Sequence, residues 1–296
     1  MEYLQLGTIS CSRIIQGFWR LVGWEWTTEK LSTFIRQCLD LGVTTFDTAE
    51  IYDDTACETQ LGKVFAHSPS LRSEIKLVSK MGIYKQTVNG KEFGYYNTTY
   101  DQIIESCHAS LKRLNTDYLD LYLIHREDPC LDPWEAGRAL QELKKQGLVR
   151  EFGVSNFDPY KFSGMQKATE NSLVTNQIEV NPLCFEHFNS GMIDLLTTEK
   201  IHPLIWSPMA GGRLFTSKDT KITQTMDRIR LIADNHTVTE ETIIYAWLLL
   251  HPAKMIPISG SNKIERLKQA VQAVDVKLEH WEWYWIYTAS GDQILR

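Results

Sequence analysis

The sequence predicts an α/β chain closed into a (β/α)8 barrel, with an N-terminal β-hairpin and extra loops and helices. Three observations predict it. Eight short β-branched or apolar runs alternate with stretches of 3.6-residue periodicity. Helix start and stop signals lie between those runs. The 296 residues average about 37 per unit, which suits a TIM barrel of roughly 250 residues plus additions. An open doubly wound sheet is the competing architecture, but no GxGxxG follows the first run and no GxxxxGK[ST] occurs. No linker or composition break divides residues 1–296, so one domain is expected.

The opening residues suggest a short hairpin, with YLQLG turning near Gly7-Thr8 into SRIIQG, and the run at Ile14-Ile15 counts as the first barrel strand. The others are VTTFD (43–47), IKLVSK (75–80), LDLYLIH (119–125), FGVSN (152–156), TNQIEV (175–180), HPLIWS (202–207) and MIPIS (255–259). Leu31, Phe34, Ile35, Cys38 and Leu39 form an apolar helical stripe stopped by Gly42. Ile103, Ile104, Cys107, Leu111 and Leu114 form a second, and Ile264, Leu267, Val271 and Val274 a third. Asp132 before Pro133, with Glu135 at the third helical position and Gly147 beyond the end, brackets a further helix, and Asp158-Pro159 repeats that opening. Strands alternating with helices imply a parallel sheet with right-handed crossovers. The additions read as long loops at 81–98 and 208–222 and a tail bearing Trp281, Trp283 and Trp285, expected to pack on the barrel.

Composition excludes several classes. Thirty-one Lys+Arg against 37 Asp+Glu give a net charge of −6, which argues against a nucleic acid or an anionic membrane as the main partner. No run reaches the roughly 18–20 apolar residues of a membrane span. Met1-Glu2-Tyr3-Leu4 lacks a secretion signal, so a cytoplasmic location is expected. The six cysteines form no CxxC pair and read as reduced, small core side chains. No HExxH or comparable motif is present, and no metal is expected.

Reacting groups of such barrels stand at the C-terminal strand ends. Strand two ends in Asp47 with Tyr52 in the following loop, strand three ends in Lys80, and strand four ends in His125. Singly, each has an ordinary structural explanation, except that a buried strand-end ammonium is costly unless paired. Together they deliver an acid, a phenol, an ammonium and an imidazole to one rim. A phenol's ordinary pKa near 10 is high for proton exchange at neutral pH. Lys80 is expected to lower it, Asp47 to hold Lys80, and His125 to orient a carbonyl oxygen. With no carbon nucleophile in view, a cofactor hydride is the expected reductant.

These segments resemble the aldo-keto reductase superfamily, with matches spanning at least residues 11–274. FDTAEIY (46–52), LVSK (77–80) and LDLYLIH (119–125) resemble the stretches that carry its active-site Asp, Tyr, Lys and His. EFGVSNF (151–157) and NQIEVN (176–181) resemble its nicotinamide-contacting segments, and WSPMAGGRLF (206–215) and IPISGSNKIERL (256–267) its phosphate loops. HRED and AGGRLF resemble most the bacterial YdhF-type oxidoreductases. The resemblance implies Tyr52 as general acid/base supported by Asp47, Lys80 and His125. It implies Ser155, Asn156 and Gln177 on the nicotinamide carboxamide, and Trp206 stacked on the ring where many members have Tyr. Ser207, Gly211, Gly212, Arg213 and Leu214 would line the pyrophosphate.

A helix N-terminus is expected near Asn262, as cap, with Glu265 at its third position. Backbone N–H groups there attract phosphate. Ser259, Gly260, Ser261, Lys263 and Arg266 then supply donors for an adenosine 2′-phosphate, favouring NADPH/NADP+ over NADH. Trp19, Trp24, Trp26 and Tyr84 are the expected walls of a pocket for a small-molecule carbonyl substrate, with some of the tryptophans only packing the loop. Two other readings stay open on the residues alone. One is a Schiff-base lyase using Lys80. The other is an NADP(H)-binding, redox-sensing or regulatory module with weak turnover.

Overall fold

The computed structural model describes residues 1–295. Its strands are β1 (Tyr3–Leu6), β2 (Ile9–Ser12), β3 (Ile15–Gly17), β4 (Thr45–Asp47), β5 (Lys76–Met81) and β6 (Ile83–Val88). They continue with β7 (Lys91–Tyr96), β8 (Leu119–Ile124), β9 (Val149–Ser155), β10 (Leu173–Glu179), β11 (Leu204–Trp206) and β12 (Ile256–Ser259). The helices are α1 (Thr28–Asp40), α2 (Ala56–His67), α3 (Ser70–Glu74), α4 (Tyr100–Leu114), α5 (Pro133–Lys145), α6 (Pro159–Ala168) and α7 (Glu186–Asn189). After them come α8 (Met192–Thr198), α9 (Arg213–Thr216), α10 (Thr220–His236), α11 (Glu240–Leu250), α12 (Ile264–Gln272) and α13 (His280–Tyr287).

Eight parallel strands close a barrel in the order β3-β4-β5-β8-β9-β10-β11-β12, with β12 returning to β3. All eight runs read from the sequence become these strands. The cap signals hold as well: Asp132 accepts from the N–H groups of Trp134 and Glu135, and Asp158 from that of Lys161. Gly147 takes a positive φ after α5.

Two cores result. The larger lies between strands and helices. The smaller fills the barrel's N-terminal end, where Leu4, Leu6, Ile9 and Cys11 of the hairpin pack beneath Ile15, Val78, Leu121, Leu204 and Ile256. An isolated two-stranded ribbon is marginal in water. Burial of these side chains, about 1.5–3 kcal/mol for each large one, makes this ribbon a plug. Its turn is fixed by Thr8, whose N–H and Oγ1 donate to Glu151 Oε1 at 2.8 and 2.7 Å.

Four expectations need correction. The hairpin's second strand is Ile9–Ser12 rather than SRIIQG, because the chain breaks at Arg13-Ile14 to enter the barrel. Residues 81–98 are not a loop but the antiparallel pair β6-β7, turned by Asn89 and Gly90 with φ of 50° and 75°. Residues 208–222 contain α9 and the start of α10. Cys130 is exposed and Cys184 half-buried, whereas Cys11, Cys38, Cys57 and Cys107 are core residues as read. The tryptophan tail packs as expected: Trp283 of α13 stacks on Trp247 of α11 at 5.4 Å, while Trp281 stays exposed. Among the described residues no helix is long and apolar enough to cross a membrane.

His251, after α11, is packed against Phe188 and Trp283, and burial pulls its pKa down to about 4. The unfolded chain therefore takes up this proton first, so the contribution to stability is complete above pH 6.5 and is lost as pH falls through about 4. Urea unfolding at stepped pH should show stability declining across that window, with a shallower decline in His251→Gln; an unchanged slope in the variant would contradict the assignment.

Candidate active site

Parallel pairing of β4 on β5 and β5 on β8 puts Asp47, Lys80 and His125 at three successive strand ends. Tyr52 arrives from the loop after β4. There Asp53, Asp54 and Thr55 all have positive φ, turning the chain sharply into α2. Lys80 Nζ donates to Asp47 Oδ1 at 2.7 Å, to the Thr48 carbonyl at 2.8 Å and to Tyr52 Oη at 3.1 Å. All three ammonium protons are thus used, at a side chain with no exposure. The His125 ring meets the Tyr52 ring edge-on, with centroids 5.7 Å apart. The four residues read as sharing a rim are brought together.

Burial acts most on Lys80 and draws its pKa down, but Asp47 and Tyr52 outweigh it, so the ammonium titrates above its ordinary value. Burial, then Lys80 and Arg126, push His125 well below the usual imidazole range; the ring is neutral at pH 7, with Nδ1 buried and unpartnered. Tyr52 corrects the expectation of an acidified phenol. Burial raises its pKa by more than Lys80 lowers it, and Asp47 adds to the rise. The phenol therefore stays protonated at neutral pH. What Lys80 can do is stabilise the phenolate once the proton has left.

An unbroken chain of hydrogen bonds runs from this cluster across the barrel end. Gln177 Nε2 donates to Asp47 Oδ2 at 2.8 Å, and Ser155 Oγ donates to the Gln177 carbonyl at 2.8 Å. Asn156, at φ 61°, donates to Ser155 Oγ and to the His125 carbonyl, and accepts from Trp206 Nε1 at 2.8 Å. Arg126 lies over the Trp206 ring at 5.6 Å. Beyond Trp206, Ser207, Ala210, Gly211 and Gly212 all have positive φ, folding the loop into a tight concave turn. Arg213 is exposed, its Nε donating to the Ala210 carbonyl, and Leu214 is buried.

The last segment departs in detail from the reading. The helix starts at Ile264, its cap is Lys263 without a side-chain cap bond, and Glu265 is second rather than third. The reason is local: Ser261 Oγ accepts from the Lys263 N–H at 3.1 Å, so a turn occupies the residue read as the cap, Asn262. Ser259 is buried, Gly260 exposed and Ser261 half-buried. Lys263 and Arg266 are exposed, and neither is in an ion pair among the described residues.

The aromatic walls divide. Trp24 and Trp26 pack on each other and on Phe34, at 5.0 to 5.9 Å, and Trp24 also on Phe18. Tyr84 lies in β6 with its hydroxyl 2.7 Å from Ser106 Oγ of α4. Trp19, 61% exposed, is the most exposed of the four, with the Arg20 guanidinium over its ring at 5.2 Å.

Sequence reasoning passed over the support behind Tyr52. Glu58, fully buried on α2, accepts from Ser79 Oγ at 2.5 Å and from Arg113 Nε at 2.7 Å, and Arg113 Nη2 donates to Glu50 at 3.2 Å. This network ties α2 and α4 to the strand residue preceding Lys80. Glu50, inside the FDTAEIY stretch, was the available signal. Among the described residues no group of three or more His, Cys, Asp or Glu could hold a metal ion.

The family model described as "Aldo/keto reductase family" matches residues 13–286. The chain is 39% identical to the uncharacterized oxidoreductase YcsN of Bacillus subtilis over 295 residues, covering 98% of both chains. It is 39% identical to the oxidoreductase YdhF of Escherichia coli K12 over 280 residues, covering 94% of this chain and 93% of that one. Its fold is similar to that of a thermostable aldo-keto reductase, Tm1743, with a TM-score of 0.83 and 27% identity, covering 98% of this chain and 100% of that one. With a family model matched over nearly the whole chain and relatives at 39% identity, the chain belongs to the aldo/keto reductase family.

Proposed function

We propose that this chain reduces aldehydes and ketones reversibly to alcohols, with NADPH as the hydride donor and Tyr52 as the general acid/base. The observation that carries the reading is the ammonium of Lys80 bonded at once to Asp47 and Tyr52, beside the arc from Gln177 to Trp206. When bound, a reduced nicotinamide supplies the hydride. The residues present fit such a group. Ser155, Asn156 and Gln177 offer amide and hydroxyl groups for a carboxamide, and Trp206 offers a flat ring for stacking. The concave turn of Ser207, Gly211, Gly212 and Arg213 suits a pyrophosphate.

The substrate carbonyl oxygen takes a hydrogen bond from neutral His125 and then the Tyr52 proton as negative charge builds. A phenol titrating above its ordinary value is loaded with that proton at neutral pH. Lys80 holds the resulting phenolate, and Asp47 keeps Lys80 in place. The Schiff-base alternative is opposed by the same geometry, since a lysine that is fully buried, charged and triply hydrogen-bonded has no free lone pair.

Stopped-flow mixing with NADPH or NADH against a panel of aldehydes, ketones and quinones tests the reading. Rapid single-turnover oxidation followed by steady turnover is expected. Binding of NADPH without oxidation by any member of the panel would favour the redox-sensing alternative. For the 2′-phosphate, Lys263 and Arg266, which make no ion pair among the described residues, flank the N-terminus of α12. Arg266→Ala is expected to raise the Kd for NADPH about tenfold, the loss of one charged hydrogen bond, and to leave that for NADH nearly unchanged. Equal weakening of both would remove Arg266 from that site.

A further inference from the structure

The loop that carries Tyr52 is held at both ends by one side chain. Where the loop leaves β4, the N–H groups of Thr48 and Glu50 donate to the carbonyls of Val78 and Lys80 at 2.9 and 3.0 Å, which ties the chain to β5. Beyond Glu50 the backbone turns back on itself. The N–H groups of Tyr52, Asp54, Ala56 and Cys57 donate to the carbonyls of Ala49, Ile51, Asp53 and Tyr52. Asp53, Asp54 and Thr55 follow one another at φ of 46°, 49° and 75°, a run that residues other than glycine keep only where their surroundings over-determine it.

Those surroundings come from α4. Arg113 Nη2 donates to Glu50 Oε1 at 3.2 Å, two residues before Tyr52, and Arg113 Nε donates to Glu58 Oε2 at 2.7 Å, six residues after it. Glu58 Oε1 in turn accepts from Ser79 Oγ at 2.5 Å, next to Lys80. One guanidinium therefore spans the loop and, through Glu58, reaches the strand that carries the ammonium. The side chains of Arg113, Glu50 and Glu58 are 20%, 12% and 0% exposed, so solvent screens their charges weakly. Without a cation between them the two carboxylates repel, and the ends of the loop part. A Cβ on Gly62 of α2 would collide with the Arg113 carbonyl, so glycine at that position is what lets α4 come close enough.

We propose that Arg113 is a positioning residue for the reaction, fixing Tyr52 Oη 3.1 Å from Lys80 Nζ by bridging Glu50 and Glu58. It acts through Tyr52, so the inference rests on the reading of Tyr52 as general acid/base. Misplacing a reacting group by about 1 Å can cost about a hundredfold in rate, which is the scale on which such a bridge matters.

Single-turnover hydride transfer from bound NADPH tests this, with the aldehyde of the panel above that the wild-type chain reduces fastest. It is measured in Arg113→Lys, in Glu50→Ala, and in each combined with Tyr52→Phe. Lysine keeps the charge but is a single point that cannot span both carboxylates. Glu50→Ala opens one end of the bridge and leaves the pair of Arg113 with Glu58 in place, so it decides the matter should Arg113→Lys fail to fold. Each is expected to slow hydride transfer about tenfold to a hundredfold, with melting curves confirming the fold and the Kd for NADPH close to wild type. On top of Tyr52→Phe the same substitutions are expected to add less than about twofold, because the acid they position is gone; a purely structural role would repeat the full loss. An unchanged rate in either folded variant, or that full loss repeated, would overturn the role of Arg113 and leave that of Tyr52 standing. A wild-type rate in Tyr52→Phe alone, or no transfer by the wild-type chain to any aldehyde, would overturn the reading of Tyr52 and this inference with it.

Discussion

Tyr52→Phe is expected to lower kcat by about 10²–10⁴-fold, the usual worth of a positioned general acid, with coenzyme affinity and melting temperature close to wild type. The separation follows from the geometry. The lost hydroxyl makes one hydrogen bond, to Lys80 Nζ at 3.1 Å, and Lys80 keeps Asp47 and the Thr48 carbonyl as partners. The half-buried ring itself remains, with its edge-on contact to His125. Transient kinetics with NADPH, with fluorescence titration of the coenzyme alongside, measure both quantities. If hydride transfer survives, the proton comes from elsewhere; if coenzyme binding is lost too, Tyr52 has a structural part that the hydrogen bonds do not reveal.

Lys80→Met is expected to damage both function and fold. The ammonium and Asp47 form a buried pair, with side chains 0% and 5% exposed. Removing one member of such a pair leaves the other charge uncompensated, at a cost of about 3–5 kcal/mol. Gln177 Nε2 still donates to Asp47 and softens that loss without cancelling it. Turnover should fall by at least the Tyr52→Phe factor, because a phenolate without Lys80 has no cation to stabilise it. Adding Asp47→Asn to Lys80→Met should restore part of the stability and none of the turnover. Denaturant unfolding of the four variants of the cycle checks this, and additive losses would show that the two side chains are not energetically coupled.

The eight strands and their helices were legible because a strand buried on both faces reads as a short, mostly apolar or β-branched run, and helices covering the barrel must carry a stripe. IKLVSK and LDLYLIH could hardly be anything else. The pair β6-β7 was missed because most of it is exposed on both faces, so no hydrophobic alternation marks it. The dipeptide Asn89-Gly90, whose positive φ values suit a two-residue turn, was the signal present. For Trp24 and Trp26 the sequence left both a pocket wall and loop packing open, because composition alone does not show which faces of a ring are covered, as Phe34 covers part of both.

By itself, then, the sequence determined the barrel and which side chains stand at its strand ends, since parallel pairing of known strands carries Asp47, Lys80 and His125 to one rim. The tertiary structure alone decided their electrical state. Whether Tyr52 titrates above or below an ordinary phenol depends on the balance between burial and a charge 3.1 Å away. Both belong to distances between residues far apart in the chain, and no spacing along it encodes them.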